Sequence, residues 1–349
     1  MRYPAYNPSW FLHNGFLMSL YVGVWIMPNW ENFVVDAEPP FQQHIFTGAQ
    51  GVPLFGLYAI PPKARGTIVA TYGITGRLEN QYSLLILARK AYACSYAVVI
   101  FDWRAHGKSM ELSPTLTSDG LYEGEDFVRI AEQAAALGCP SKFWFVGFSL
   151  GGQLALWSGK VAPEILGENT NCIRDSDIGG VVAVCPSLDS NRSLNYLIKH
   201  PTGRYIEKGI TMRLKELAQE LHNLHPEAID EEAIKRIDSI WAFDNELVIE
   251  KLGFPSVEAY YDATSGLHVL PDLRKPTLII YAEDDPFFDP TLVEDLKIAC
   301  EQNPVIDLLL TRYGGHVFYF NSKNGQEQAG DPDRWWAWNR VLQWIEGNE

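Results

Sequence analysis

Cysteine is too sparse and too scattered to organise this chain. The five residues, Cys94, Cys139, Cys172, Cys185 and Cys300, form an odd set with no C-x-x-C spacing. That pattern gives no support to a disulfide framework or a zinc module, and reduced thiols in a cytoplasmic protein are expected. Basic residues are also short, 28 against 43 acidic, which leaves −15 at neutral pH. Binding to a phosphate backbone draws its free energy from counterion release by cationic side chains, so nucleic acid is not an expected partner and an anionic membrane is a poor one. No apolar run reaches the ~20 residues of a spanning helix. The one candidate, residues 15–27 (GFLMSLYVGVWIM), has 13, so no integral membrane span is expected. As a signal peptide it has only Arg2 as a cationic start, and Trp25, Pro28 and Trp30 stand where small residues are needed. It is expected to pack on the core as an N-terminal helix, with contact to a membrane surface as the alternative.

What the chain does have is apolar mass: 47% hydrophobic and 13% aromatic against 20% charged. That excludes a disordered or fibrous polymer. Its 349 residues fit two domains or one large unit with an insertion. Short continuous apolar runs recur at residues 67–72, 97–102, 143–148, 181–185, 277–281 and 306–310. Continuous rather than alternating hydrophobicity is what a strand covered on both faces requires. Helical spacing fills the intervals, over 82–93 and 124–137, so the pattern predicts an α/β fold with a mostly parallel, doubly wound sheet. Residues 43–47 and 53–60 flank a Gly-Ala-Gln-Gly turn and read as an antiparallel hairpin leading into it. From 188 to 270 the rhythm changes to amphipathic helices. Leu214, Leu217, Leu221 and Leu224 are expected on one buried face, and Ile234, Ile237 and Trp241 on another. The expected layout is an N-terminal segment (1–40), a first part of the core (41–187), a helical cap insertion (188–270) and a second part of the core (271–349). The Trp-rich close from Trp335 to Ile345 is expected to be a core helix.

The sharpest chemical signal is Gly147-Phe148-Ser149-Leu150-Gly151, between an expected buried strand and an expected helix. A strand turning abruptly into a helix holds its central residue in a strained conformation, so the residues two away must be small. The Ser149 hydroxyl then projects above the sheet, with the backbone N–H of Leu150 at a helix N-terminus where an oxyanion would be stabilised. A hydroxyl needs a base, and the base needs an orienting acid. Among eight histidines, His316 follows the last expected strand in Arg312-Tyr313-Gly314-Gly315-His316, on a loop that two glycines allow to fold back. His222 and His225 lie on a leucine-rich helix and read as a solvated face, with no acidic third ligand for a metal. His268 falls in the presumed cap. After the strand at 277–281 come Glu283, Asp284 and Asp285; the nearby Asp289 reads as a turn cap and not a calcium ligand.

With this elbow the chain resembles the α/β hydrolases, and more narrowly the YheT-like group of esterases. The narrower resemblance is carried by YAEDDPF (281–287), TRYGGHV (311–317), FPSVEAYY (254–261) with Thr264-Ser265, and WFLHNG (10–15). The resemblance implies the chain order Ser149, Asp285, His316 for a catalytic triad, with Asp284 the runner-up acid. It sets Tyr72-Gly73-Ile74-Thr75-Gly76 in the place of an H-G-x-x-G loop, making the Ile74 N–H the second oxyanion donor beside Leu150. The run from Asp102 to Ser109 resembles a D-x-R-G-H-G-x-S loop, closer to monoacylglycerol-lipase-like enzymes, in which His106 is structural. The implied activity is hydrolysis of a small-molecule carboxylic ester, lipid-like or of medium chain length, without metal or organic cofactor. An acyltransferase using the same triad and a catalytically silent scaffold are the alternatives.

Overall fold

The computed structural model describes residues 3–167 and 172–349; Arg2 lies outside the described residues. The chain enters its sheet through the antiparallel hairpin β1 (Gln42–Thr47) and β2 (Pro53–Ala59). Then follow β3 (Thr67–Thr71), β4 (Ala97–Phe101), β5 (Phe143–Phe148), β6 (Ile178–Val184) and β7 (Thr277–Ala282), each buried along its whole length, and β8 (Ile306–Thr311) at the less buried edge. The order across the sheet is β1-β2-β4-β3-β5-β6-β7-β8. Every pair from β4 to β8 is parallel, and β2 meets β4 antiparallel. The fold is therefore that of an α/β hydrolase, and the apolar runs mark its strands to within a few residues.

Helices cover both faces. They include α1 (Gly15–Tyr21), α2 (Tyr82–Ala93), α3 (Gly107–Leu112), α4 (Glu123–Ala136) and α5 (Leu150–Gly167). Adjacent residues of β6 record the two-sidedness. A Cβ on Gly180 would meet Trp344 of the C-terminal helix Trp336–Gly347, while Val181 packs against Gly159 of α5. Successive strand residues point to opposite faces, so these two helices lie on opposite sides of the sheet. A fully buried ion pair ties the hairpin to α4: Arg104 Nε donates to Asp126 at 2.7 Å, and the Ala49 N–H donates to the same carboxylate at 2.7 Å.

Between β6 and β7 the chain is helical, opening with α6 (Ser190–Lys199), α7 (Pro201–Leu224) and α8 (Glu231–Arg236). This region forms a second apolar cluster in which Leu214, Leu217, Leu221, Ile234 and Phe243 pack with Met110 of α3 and with Ala105 and Leu116 from the loops on either side of it. Two expected face members depart from it, since Leu224 and Trp241 are exposed. Leu224 is the last residue of α7, and Trp241 belongs to a separate turn, Ile240–Phe243, so helical phase does not carry across the breaks. His222 and His225 are not a solvated face either: Nδ1 of His222 bonds the Ile229 carbonyl at 2.7 Å, and Nε2 of His225 the Met110 carbonyl at 2.9 Å. The N-terminal segment is only half core-packed. Met18, Val22 and Ile26 are buried, but Leu17, Leu20, Val24 and Trp25 face outward. Among the described residues no helix is long and apolar enough to cross a membrane.

Candidate active site

The turn from β5 into α5 holds Ser149 at φ 56°, a left-handed conformation that costs a non-glycine residue roughly 1–2 kcal/mol. Its surroundings enforce it. The Ser149 N–H donates to the Val184 carbonyl at 2.9 Å, and its own carbonyl accepts from the Gly152 N–H at 2.9 Å. The turn is tight enough that a Cβ on Gly147 would lie 1.9 Å from the Gly151 carbonyl oxygen, and one on Gly151 2.3 Å from that of Tyr72. Both flanking glycines are thus required by space. Leu150 is the first residue of α5, so its N–H has no carbonyl one turn back within the helix.

His316 and Asp285 arrive from the loops after β8 and β7. His316 Nε2 lies 2.8 Å from Ser149 Oγ, and Nδ1 lies 2.8 Å from Asp285 Oδ2. A carboxylate oxygen opposite Nδ1 assigns the ring proton to that nitrogen and leaves Nε2 to accept from the hydroxyl. The ring is fixed further by Phe287, stacked on it at 4.1 Å, and by Ser19 of α1, whose Oγ accepts the His316 backbone N–H at 2.9 Å. Asp285 Oδ1 accepts the Phe287 N–H at 2.9 Å. The runner-up acid, Asp284, turns the other way: its Oδ1 accepts the Gly315 N–H at 3.0 Å, and burial pushes its carboxyl up to about 6. Both aspartates therefore serve the histidine loop, one at the ring and one at the backbone. Cys185, Asp285 and His316 also stand close enough to share a metal ion. The arrangement does not favour one. Both imidazole nitrogens are engaged, and burial holds the Cys185 thiol well above its ordinary pKa, which disfavours the thiolate a metal needs.

The loop after β3 runs against the nucleophile, with Ile74 and Leu150 lining the same cavity as Ser149. Asp102 holds that loop by accepting from the Tyr72 hydroxyl at 2.5 Å, the Leu78 N–H at 2.9 Å and the Lys108 N–H at 2.9 Å. Desolvation outweighs these bonds and pushes its carboxyl up to about 6. His106 completes the support. Nδ1 bonds the Arg104 carbonyl at 2.8 Å, Nε2 accepts the Thr75 N–H at 3.2 Å, and burial lowers the ring to about 4, so it stays neutral.

Two cavities meet at Ser149. The inner one, about 100 Å³, runs beneath the helices between β6 and β7 and is walled by Leu194, Leu197, Leu214, Leu217 and Phe243. The outer one, about 440 Å³, lies between α1 and the loop after β3, with Ser19, Gly23, Asn80, Gln81 and His316 on its walls. Sequence reasoning missed one feature of the inner cavity, the acids Asp119 and Asp244 in its wall. Asp119 accepts the Thr117 hydroxyl at 3.1 Å, and Asp244 accepts that of Tyr261. Burial pushes Asp119 up to about 7 and Asp244 well above its ordinary range. They lie far apart in the chain, and no local spacing signals the pairing.

Residues 77–329 match the model of the alpha/beta hydrolase family. The chain is 50% identical over 351 residues to "Putative esterase slr0264" of Synechocystis sp., covering 99% of this chain and 95% of that one. A stretch of 112 residues is 29% identical to "Putative esterase YheT" of Escherichia coli, covering 32% of this chain and 30% of that protein. Among solved structures, the Pyrococcus furiosus esterase Pf2001 superposes with a TM-score of 0.54 at 17% identity, over 92% of this chain and 95% of the other, a likeness of fold. With a family match over most of its length and one relative half identical from end to end, the chain belongs to the alpha/beta hydrolase family.

Proposed function

We propose that the protein is a serine hydrolase of carboxylic esters in which Ser149 is the nucleophile, His316 the base and Asp285 the orienting acid. The observation that carries this reading is the unbroken line Asp285–His316–Ser149, with both links at 2.8 Å. Ser149 Oγ attacks the ester carbonyl while His316 Nε2 takes its proton, and Asp285 stabilises the imidazolium through Nδ1–H. The carbonyl oxygen becomes an oxyanion held by the N–H groups of Ile74 and Leu150. Collapse expels the alcohol, which takes the proton from Nε2, and leaves the acyl group on Ser149. Water then enters, gives a proton to Nε2 and attacks the acyl carbon; collapse returns the proton to Ser149 and frees the acid.

The two cavities divide the substrate. The inner cavity, walled mostly by aliphatic and aromatic side chains, suits an apolar acyl chain, and the wider outer cavity with its amide and hydroxyl groups suits the alcohol side. Ser149→Ala is expected to abolish both turnover of p-nitrophenyl esters and covalent labelling by a fluorophosphonate while the circular dichroism stays that of the wild type. Turnover or an adduct in that variant would remove Ser149 from the mechanism.

A further inference from the structure

The N-terminal segment carries an outward face that the reaction does not use. From Tyr3 to Trp30 there is no Asp, Glu, Lys or Arg, in a chain whose net charge is −15. Leu12, Met18, Val22 and Ile26 are buried against the core, none more than 4% exposed. On the opposite side Trp10 is 81% exposed, Trp25 58%, Val24 51% and Leu17 49%, with Phe11 and Leu20 also open. The aromatic rings form one continuous ridge: Trp10 meets Phe11 at 6.0 Å, Phe11 meets Tyr21 at 5.6 Å, and Tyr21 meets Trp25 at 5.7 Å. Single exposed hydrophobics are ordinary, but a connected ridge of this kind marks an interaction surface.

The position of the ridge relative to the nucleophile narrows its use. The same segment lines the outer cavity from within, through Ser19, Gly23 and Met27, and that cavity reaches Ser149 and His316. Ser19 also accepts the His316 backbone N–H. One face of the segment is thus a wall of the passage to the nucleophile, and the other is an apolar ridge beside it.

We infer that the protein docks on a neutral lipid surface through the ridge Trp10, Phe11, Leu17, Leu20, Val24 and Trp25, which sets the outer cavity against the lipid from which an ester is drawn. This rests on the ester-hydrolase reading above for its purpose, though not for the docking itself. Trp and Tyr rings favour the boundary between headgroups and acyl chains, and a segment with an apolar outer face lies in that plane without spanning it. The charge decides the kind of surface. With no lysine or arginine in the ridge segment and −15 on the whole chain, an anionic leaflet repels the protein, whereas a zwitterionic one does not.

The test is flotation of the full chain with phosphatidylcholine vesicles. The wild type is expected to rise with the vesicles, and less so when phosphatidylserine is added. A variant carrying Trp10→Ser, Leu17→Ser and Trp25→Ser is expected to partition at least about tenfold less while hydrolysing soluble p-nitrophenyl acetate at the wild-type rate, which also certifies its fold. Ser149→Ala should float like the wild type; floating without turnover separates docking from chemistry. The inference is overturned if the wild type stays with the soluble fraction, or if the triple variant floats equally well. It is equally overturned if sedimentation velocity finds a dimer that the variant breaks, since the ridge would then be covered by a second copy of the chain.

Discussion

Gly73→Ala places a single methyl group against the nucleophile and measures how closely the loop after β3 must approach it. The new Cβ would stand 2.8 Å from Ser149 Cβ and 3.1 Å from Ser149 Oγ. Carbon atoms in contact prefer about 3.5–4.0 Å, so something must move by more than half an ångström. Gly73 does not occupy the left-handed region, and alanine therefore adds bulk there without backbone strain. Ser149 cannot yield easily, being fixed by the Val184 carbonyl and the start of α5. The loop cannot either, since Asp102 holds it at Tyr72 and Leu78. The displacement falls on Oγ and its hydrogen bond to His316. A misplacement of about 1 Å at a reacting atom costs about 100-fold, so a loss of roughly 10- to 100-fold in kcat/KM is expected, about 1.4–2.7 kcal/mol of barrier. Overpacking costs on the order of 1–3 kcal/mol of stability, a drop of several degrees in Tm. The assay is p-nitrophenyl butyrate hydrolysis beside the rate of fluorophosphonate labelling. Gly209→Ala serves as control, because a Cβ there meets nothing within 4 Å in the middle of α7. It should leave activity unchanged and raise stability by about 0.5–1 kcal/mol. A folded Gly73→Ala protein within twofold of wild-type kcat/KM would refute the close approach on which the oxyanion assignment depends.

The two aspartates after β7 can be separated by their amides. Asp285→Asn should lower kcat by about 10³–10⁴-fold with the fold intact, because an amide opposite Nδ1 favours the wrong ring tautomer. Asp284→Asn touches backbone bonds of the histidine loop at Gly314 and Gly315 and not the ring, and should stay within about tenfold of wild type; a reversed ranking would transfer the acid's role to Asp284. Asp119 makes stability depend on pH. Its folded pKa of about 7 lies above the ordinary 3.8, so between those values the folded protein keeps a proton the unfolded chain has released, and stability falls as pH rises through the window. Asp119→Asn removes that proton and relieves Asp244 as well, so its Tm should fall less from pH 5 to pH 8 than that of the wild type. Parallel curves would contradict the burial argument.

Local physics is the part of this protein that its sequence makes legible. A strand buried on both faces is apolar along nearly all of its length, as β3 to β7 are apart from the buried threonines Thr67, Thr71 and Thr277 at strand ends, so their runs stand out along the chain by hydrophobicity alone. The elbow is legible because the crowding at Gly147 arises within five consecutive residues, against the Gly151 carbonyl, although that at Gly151 comes from Tyr72 just past the end of β3. Legibility fades where direction matters more than position. Three carboxylates follow β7 in succession, and periodicity does not say which one turns toward a ring; the fold aims Asp285 at the His316 imidazole and Asp284 at the Gly315 backbone. The N-terminal segment departs from expectation for a related reason. Uniform hydrophobicity over 15–27 carries no polar face to mark the outside, yet a helix lying on a domain buries only one side, and here the other side stays open. Least legible are the groups that support the site from a distance: Asp102 gathering Tyr72, Leu78 and Lys108, Ser19 holding the His316 backbone, and the paired acids Asp119 and Asp244. Each joins segments whose meeting is set by the order of strands in the sheet. The chemistry of an elbow can therefore be read from five residues, whereas its tuning depends on contacts that exist only once β3, β5, β7 and β8 lie in their places.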